Sequence, residues 1–124
     1  MRLLASITLI ALALLLSGCK EEEKTWTITY KVVNFNASAA TFRVEFTNEQ
    51  GNTEVRGPFD TNWWVSRDIL EVETGTELSF QFELLTGSGD FELFIEANGS
   101  SIATVSERNP NSPVLLQATI TDPS

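Results

Sequence analysis

The sequence predicts an all-β protein: an immunoglobulin-like antiparallel β-sandwich of seven or eight strands, preceded by an N-terminal segment that is cleaved away. Three observations carry this. Apolar and polar residues alternate with period two in stretch after stretch, which is how a strand with one buried face reads. Clusters of Gly, Pro and Asn separate those stretches at short, regular spacing. After residue 24 no helical periodicity of useful length appears.

The chain opens differently. Arg2 precedes Leu3 to Leu16, a run that is apolar apart from Ser6 and Thr8. Its length suits the apolar core of a secretory signal and falls short of the ~20 residues a membrane-crossing helix needs. The run ends in Leu16-Ser17-Gly18-Cys19, with Cys19 the sole cysteine. That end resembles the bacterial lipobox. The resemblance implies that the Cys19 thiol takes a diacylglyceryl group, that residues 1–18 are removed, and that lipidated Cys19 becomes the first residue. Each methylene of a palmitate-type chain contributes ~0.8 kcal/mol on burial, so two or three chains anchor a protein where one does not. Residues 19–24, with Lys20, three Glu and Lys24, have nothing to bury and read as a charged tether. Lys20 stands where enteric lipoproteins kept at the inner membrane have Asp, which points to the outer membrane. The charged run also resembles the surface-export signal of Bacteroidota lipoproteins. The expected location is the bacterial cell envelope, periplasmic or surface-exposed.

Residues 25–124 carry the expected strands. In "WTITYKV" one face holds Trp26, Ile28, Tyr30 and Val32, and in "TFRVEFT" it holds Phe42, Val44 and Phe46. Weaker strands are expected over Thr53 to Arg56 and, with an interruption, over Trp63 to Val72. In "TELSFQFEL" Leu78, Phe80, Phe82 and Leu84 face one way; Ser79, Gln81 and Glu83 face the other. In "DFELFIEA" Phe91, Leu93 and Ile95 oppose Glu92 and Glu96. A weaker strand follows over Ser101 to Ser106, and "VLLQATI" closes the set with Val114, Leu116, Ala118 and Ile120 inward. Asn98-Gly99 is the strongest hairpin signal, because a type I′ turn needs positive φ at both central residues.

Composition narrows the function. Loss of the first 18 of 124 residues leaves 106, enough for one domain with its own core. Arg2 leaves with them, so 8 basic residues become 7 against 17 acidic ones, a net charge of −10. An acidic domain without a basic patch is a poor partner for nucleic acid, whose phosphates attract Lys and Arg. With Cys19 lipidated no disulfide can form within the chain. There is no His, which removes the commonest general base, the Ser-His and Cys-His pairs and most zinc sites. The Glu residues alternate with buried ones, as on a solvated strand face, and not as a catalytic pair. Asp60, Asn62 and Asp68, or Asp90 with Glu92, are candidate calcium ligands that match no full calcium loop. No cofactor and no enzymatic activity are expected.

In order along the chain, "FTNEQGNTEV", "GPFDTNWW", "ETGTELSFQFEL" and "FELFIEANGSSI" are similar to the extracytoplasmic domain of MmpS-type proteins. The similarity covers residues 26 to 120. It implies a small β-sandwich that works beside a large transporter, as the mycobacterial members do in lipid and siderophore export. The chain departs from those members in having a lipid anchor in place of a transmembrane helix, and in lacking the cysteine pair of their late strands.

The stretch most expected to carry function is "GPFDTNWWVSRD", residues 57–68, with Phe59, Trp63 and Trp64 as the candidate binding surface. The plainer reading has both indoles capping the core from a loop. The sharper one puts them on a strand, where neighbours point to opposite faces, so that one enters the core and the other offers a contact. Phe94, between Glu92 and Glu96, is a lesser candidate. Together these observations lead to the expectation of a membrane-anchored, non-enzymatic binding or transport-accessory module whose partner is an envelope protein or transporter. A surface glycan-binding or adhesive module is the alternative.

Overall fold

The computed structural model describes residues 25–36, 38–66 and 70–121. Cys19, the signal segment, the tether and Asp68 lie outside them. Nine strands are described: β1 (Thr25–Asn34), β2 (Ala40–Thr47), β3 (Thr53–Phe59), β4 (Trp63–Val65), β5 (Leu70–Glu73), β6 (Glu77–Gly87), β7 (Asp90–Ala97), β8 (Ser100–Arg108) and β9 (Val114–Thr119). They form two antiparallel sheets packed face to face. One sheet has the order β4-β1-β7-β8 with β5 also on β1; the other runs β3-β2-β6-β9.

Nine strands replace the seven or eight expected, because the interrupted stretch from Trp63 to Val72 is two strands. Both pair with β1 on the same side: β4 with Lys31 to Val33, β5 with Thr25 to Ile28. Ser66 extends the first register with one backbone and one side-chain hydrogen bond to Tyr30: its N–H donates to the Tyr30 carbonyl at 2.9 Å, and its Oγ accepts from the Tyr30 N–H at 3.0 Å. Leu70 then pairs with Ile28. Three residues thus separate the partners of Tyr30 and Ile28, which are themselves one residue apart, and a single continuous strand cannot absorb that difference.

The alternating residues meet between the sheets. Ile28, Tyr30 and Val32 from β1 and Phe91, Leu93 and Ile95 from β7 face Phe42, Val44 and Phe46 from β2 and Leu78, Phe80 and Phe82 from β6, all buried. Aromatic rings dominate, with Tyr30 5.0 Å from Phe46 and 5.1 Å from Phe80 between ring centres. The Tyr30 hydroxyl, deep in this layer, donates to the Thr47 carbonyl at 2.7 Å, so burial leaves no orphaned O–H. Burial also pushes the Tyr30 phenol well above its ordinary pKa, because the charged form would be cut off from water.

Two turns show the local chemistry. Asn98 and Gly99 both have positive φ, 51° and 83°, as a type I′ hairpin between β7 and β8 requires. Between β2 and β3 the Asn48 side chain accepts from the backbone N–H groups of Gln50 and Asn52, at 3.0 and 2.9 Å, and reinforces a turn that the Asn48 N–H to Asn52 carbonyl bond also closes, at 2.8 Å.

An aromatic groove at one open side of the sandwich

Strand β3 is an edge of one sheet and β4 an edge of the other, and the loop 60–62 joins them. A groove of about 420 Å³ opens between them, lined by Phe46, Arg56, Phe59, Trp63, Trp64 and Ser66.

A one-residue bulge builds half of it. On β3, Arg56 lies opposite Val44 but Phe59 lies opposite Phe42, so β3 has one residue more than β2 over this span. Without it Phe59 would turn outward, since side chains alternate. With it, Glu54, Arg56 and Phe59 share the inner face. Gly57, at φ 120°, and Pro58, across a cis peptide bond, occupy the bulge. Proline lacks an N–H for the ladder, so an edge strand is where it is tolerated.

Strand β4 builds the other half. Trp64 pairs with Val32, which points into the core, and Trp63 pairs with Val33, which does not. The reading in which both indoles cap the core from a loop is therefore corrected: pairing with β1 makes this segment a strand, and the strand sends the two rings opposite ways. Trp64 lies among Phe46, Phe59 and Phe80, at 5.8, 5.8 and 6.1 Å between ring centres, stacked on Phe59 at 28°. Trp63 is 60% exposed. Trp26 donates its indole N–H to Thr74 at 3.1 Å.

Arg56 lies over the Phe46 ring at 5.6 Å and is ion-paired with Glu54, whose other oxygen accepts from Asn48 Nδ2 at 3.0 Å. The polar rim is completed by Ser66 and by Thr61, whose hydroxyl donates to the Trp63 carbonyl at 2.6 Å. Such a site can stack a flat or apolar face and offer hydrogen bonds around it.

Of the residues singled out from sequence, the fold brings Phe59, Trp63 and Trp64 together. Arg56, Phe46 and Ser66 were not foreseen as groove residues. The Gly57-Pro58 pair inside a strand pattern was the available signal for the bulge that gathers them. Phe94 sits apart on the outer face of its sheet, half-buried under the Lys31 ammonium at 5.3 Å. The Asp90 carboxylate already has a cation beside it, with Arg108 Nε 3.2 Å from Oδ1. Among the described residues no three His, Cys, Asp or Glu side chains gather as a metal site.

Fold and groove together define a two-layer antiparallel β-sandwich with an aromatic groove along one open side. The chain matches no known family profile, and no curated protein is detectably similar to it in sequence.

Proposed function

We propose that this protein is a non-enzymatic binding module of the bacterial envelope, held at the membrane by lipid on Cys19, that grips its partner through the groove between β3 and β4. The observation that carries the reading is Trp63: a large ring held out to solvent by a strand, beside an aromatic groove that its neighbours leave open. Exposed aromatics next to a preformed apolar recess are where binding energy concentrates. The lack of His and the dispersal of carboxylates along strand faces support contact over turnover. A transport-accessory role rests on the MmpS-type resemblance.

The aromatic rings and the hydrogen-bonding rim of Arg56, Thr61 and Ser66 favour a second reading, a glycan ligand. A sugar presents an apolar C–H face to an aromatic ring and hydroxyls that both give and accept hydrogen bonds, which is what this rim supplies. Detergent extraction of the full chain, followed by identification of co-purifying proteins and retention on immobilised glycans, separates the two. An envelope protein lost on Trp63→Ala supports the first; retention on glycan lost on the same substitution supports the second. Binding that Trp63→Ala leaves untouched removes the groove from the account.

The anchor is tested separately. Cys19→Ser is expected to leave an uncleaved or mislocalised precursor, and mass spectrometry of the mature protein should find acyl chains on Cys19. An unmodified N-terminus at any other residue overturns it.

A further inference from the structure

Among the described residues the sandwich has four strand edges, and three are blunted. Strand β3 has its bulge, Pro58 and the inward-pointing Glu54 and Arg56. Strands β4 and β5 are short, three and four residues, and out of register with each other. Strand β8 carries an extra residue at Ile102, opposite the Ile95–Glu96 step, and ends in Glu107 and Arg108. Strand β9 has none of these devices. It pairs with β6 in one unbroken register from Val114 to Thr119, without charge, proline or bulge. Edges of that kind are templates for another strand, which is why folded proteins interrupt them.

The free hydrogen-bonding groups of β9 can be assigned. The Ile120 N–H donates to the carbonyl of Thr76, just before β6, and the Ser79 N–H of β6 donates the other way, to the Thr47 hydroxyl on β2. In an antiparallel ladder the backbone alternates sides. Val114, Leu116 and Ala118 therefore bond to β6, and Leu115, Gln117 and Thr119 direct N–H and C=O outward. Those three are also exposed, with Leu115 at 50%.

We propose that β9 pairs antiparallel with β9 of a second copy of this chain, about a two-fold axis through Gln117. In that register Gln117 meets Gln117 of the partner subunit and Leu115 meets Thr119 of the partner subunit, so every outward residue falls in a hydrogen-bonded pair. Charge favours a second copy. The chain is acidic, at −9, and like copies repel. Asn109 to Thr121 is its longest uncharged run after the N-terminal segment, and that run contains the open edge. The pairing joins two four-stranded sheets into one, covers Leu115 and leaves both grooves free, since β3 lies at the far edge of the same sheet.

The test uses the full chain with a cysteine at the axis. Residues in a hydrogen-bonded antiparallel pair stand about 5.5 Å apart between Cα atoms, with Cβ atoms too far apart for an unstrained disulfide but within reach of a short bifunctional thiol reagent. Gln117→Cys treated with such a reagent is expected to run mostly as a covalent dimer on a non-reducing gel. The parent chain, with Cys19 alone, and Thr53→Cys, on the opposite edge, are expected to stay monomeric there. Gln117→Pro removes an outward N–H that the fold itself does not use. It is expected to convert a sedimenting dimer to monomer while the melting temperature of the β-structure falls by only a few degrees. A parent chain that sediments as monomer at its highest concentration, cross-linking at 117 no greater than at 53, or a folded Gln117→Pro variant that still dimerises overturns the proposal.

Discussion

Phe80→Asp is expected to abolish folding, and Ser79→Asp, one residue away, to leave it intact. Phe80 is fully buried, with Tyr30 on one side and Trp64 on the other, 5.1 and 6.1 Å between ring centres. Loss of the ring alone costs about 3–5 kcal/mol. A carboxylate in its place has no partner among the surrounding rings, and a buried unpaired charge costs several kcal/mol more. The sum reaches the ~5–15 kcal/mol that is a domain's whole margin. Ser79 alternates to the outer face of the same sheet, between Thr47 and Gln117, where substitutions fall within about 0.5 kcal/mol. Far-UV circular dichroism and urea titration of both variants decide it; similar behaviour of the two would mean the alternation had been misread.

The tryptophan pair gives the second large effect. Trp64→Ala is expected to lose about 2–4 kcal/mol, below the full cost of a buried ring because Trp64 is only half covered. Trp63→Ala is expected to lose less than about 0.5 kcal/mol. Their urea midpoints should differ plainly at unchanged slope. Equal losses would show that both rings stabilise the fold and that neither is held out for a partner.

The strands that alternate cleanly were legible because every second residue had one destination. The "DFELFIEA" stretch is β7 itself, and each of its large apolar residues except Phe94 is buried. Strand β3 was read too short. Gly57 and Pro58 look like a chain break, but here they form a bulge, and Phe59 beyond them returns to the same face as Arg56. The division into β4 and β5 was legible only as an interruption, because the register each takes is set by β1, more than thirty residues earlier. For the site, Phe59, Trp63 and Trp64 stood out by composition. Arg56 did not, since its place over Phe46 depends on a bulge whose effect on facing is a tertiary fact. Asn34 was missed for a similar reason. It is a buried polar residue whose side chain donates to Ser38 and accepts from Asp90, at 3.1 and 3.2 Å, and nothing local marks it.

The position of β1 in the middle of its sheet decides the order in which the chain can assemble. Its ladder with β7 joins Ile28 to Ala97 and Asn34 to Phe91, so the first strand of the domain waits for residues near its end. Among the described strands only two pairs of sequence neighbours bond directly, β2 with β3 and β7 with β8, one hairpin in each sheet. Those hairpins close in about 1–10 μs, whereas domains built on distant pairings fold in milliseconds to seconds. A nascent chain that stops before residue 90 leaves the β7 edge of β1 unpaired and lacks Phe91, so Phe42 and Phe82, which pack on that ring, stay open to water or to a holding chaperone. Fragments cut at that point should therefore collect as insoluble or chaperone-bound material, because this architecture closes only when its last quarter arrives.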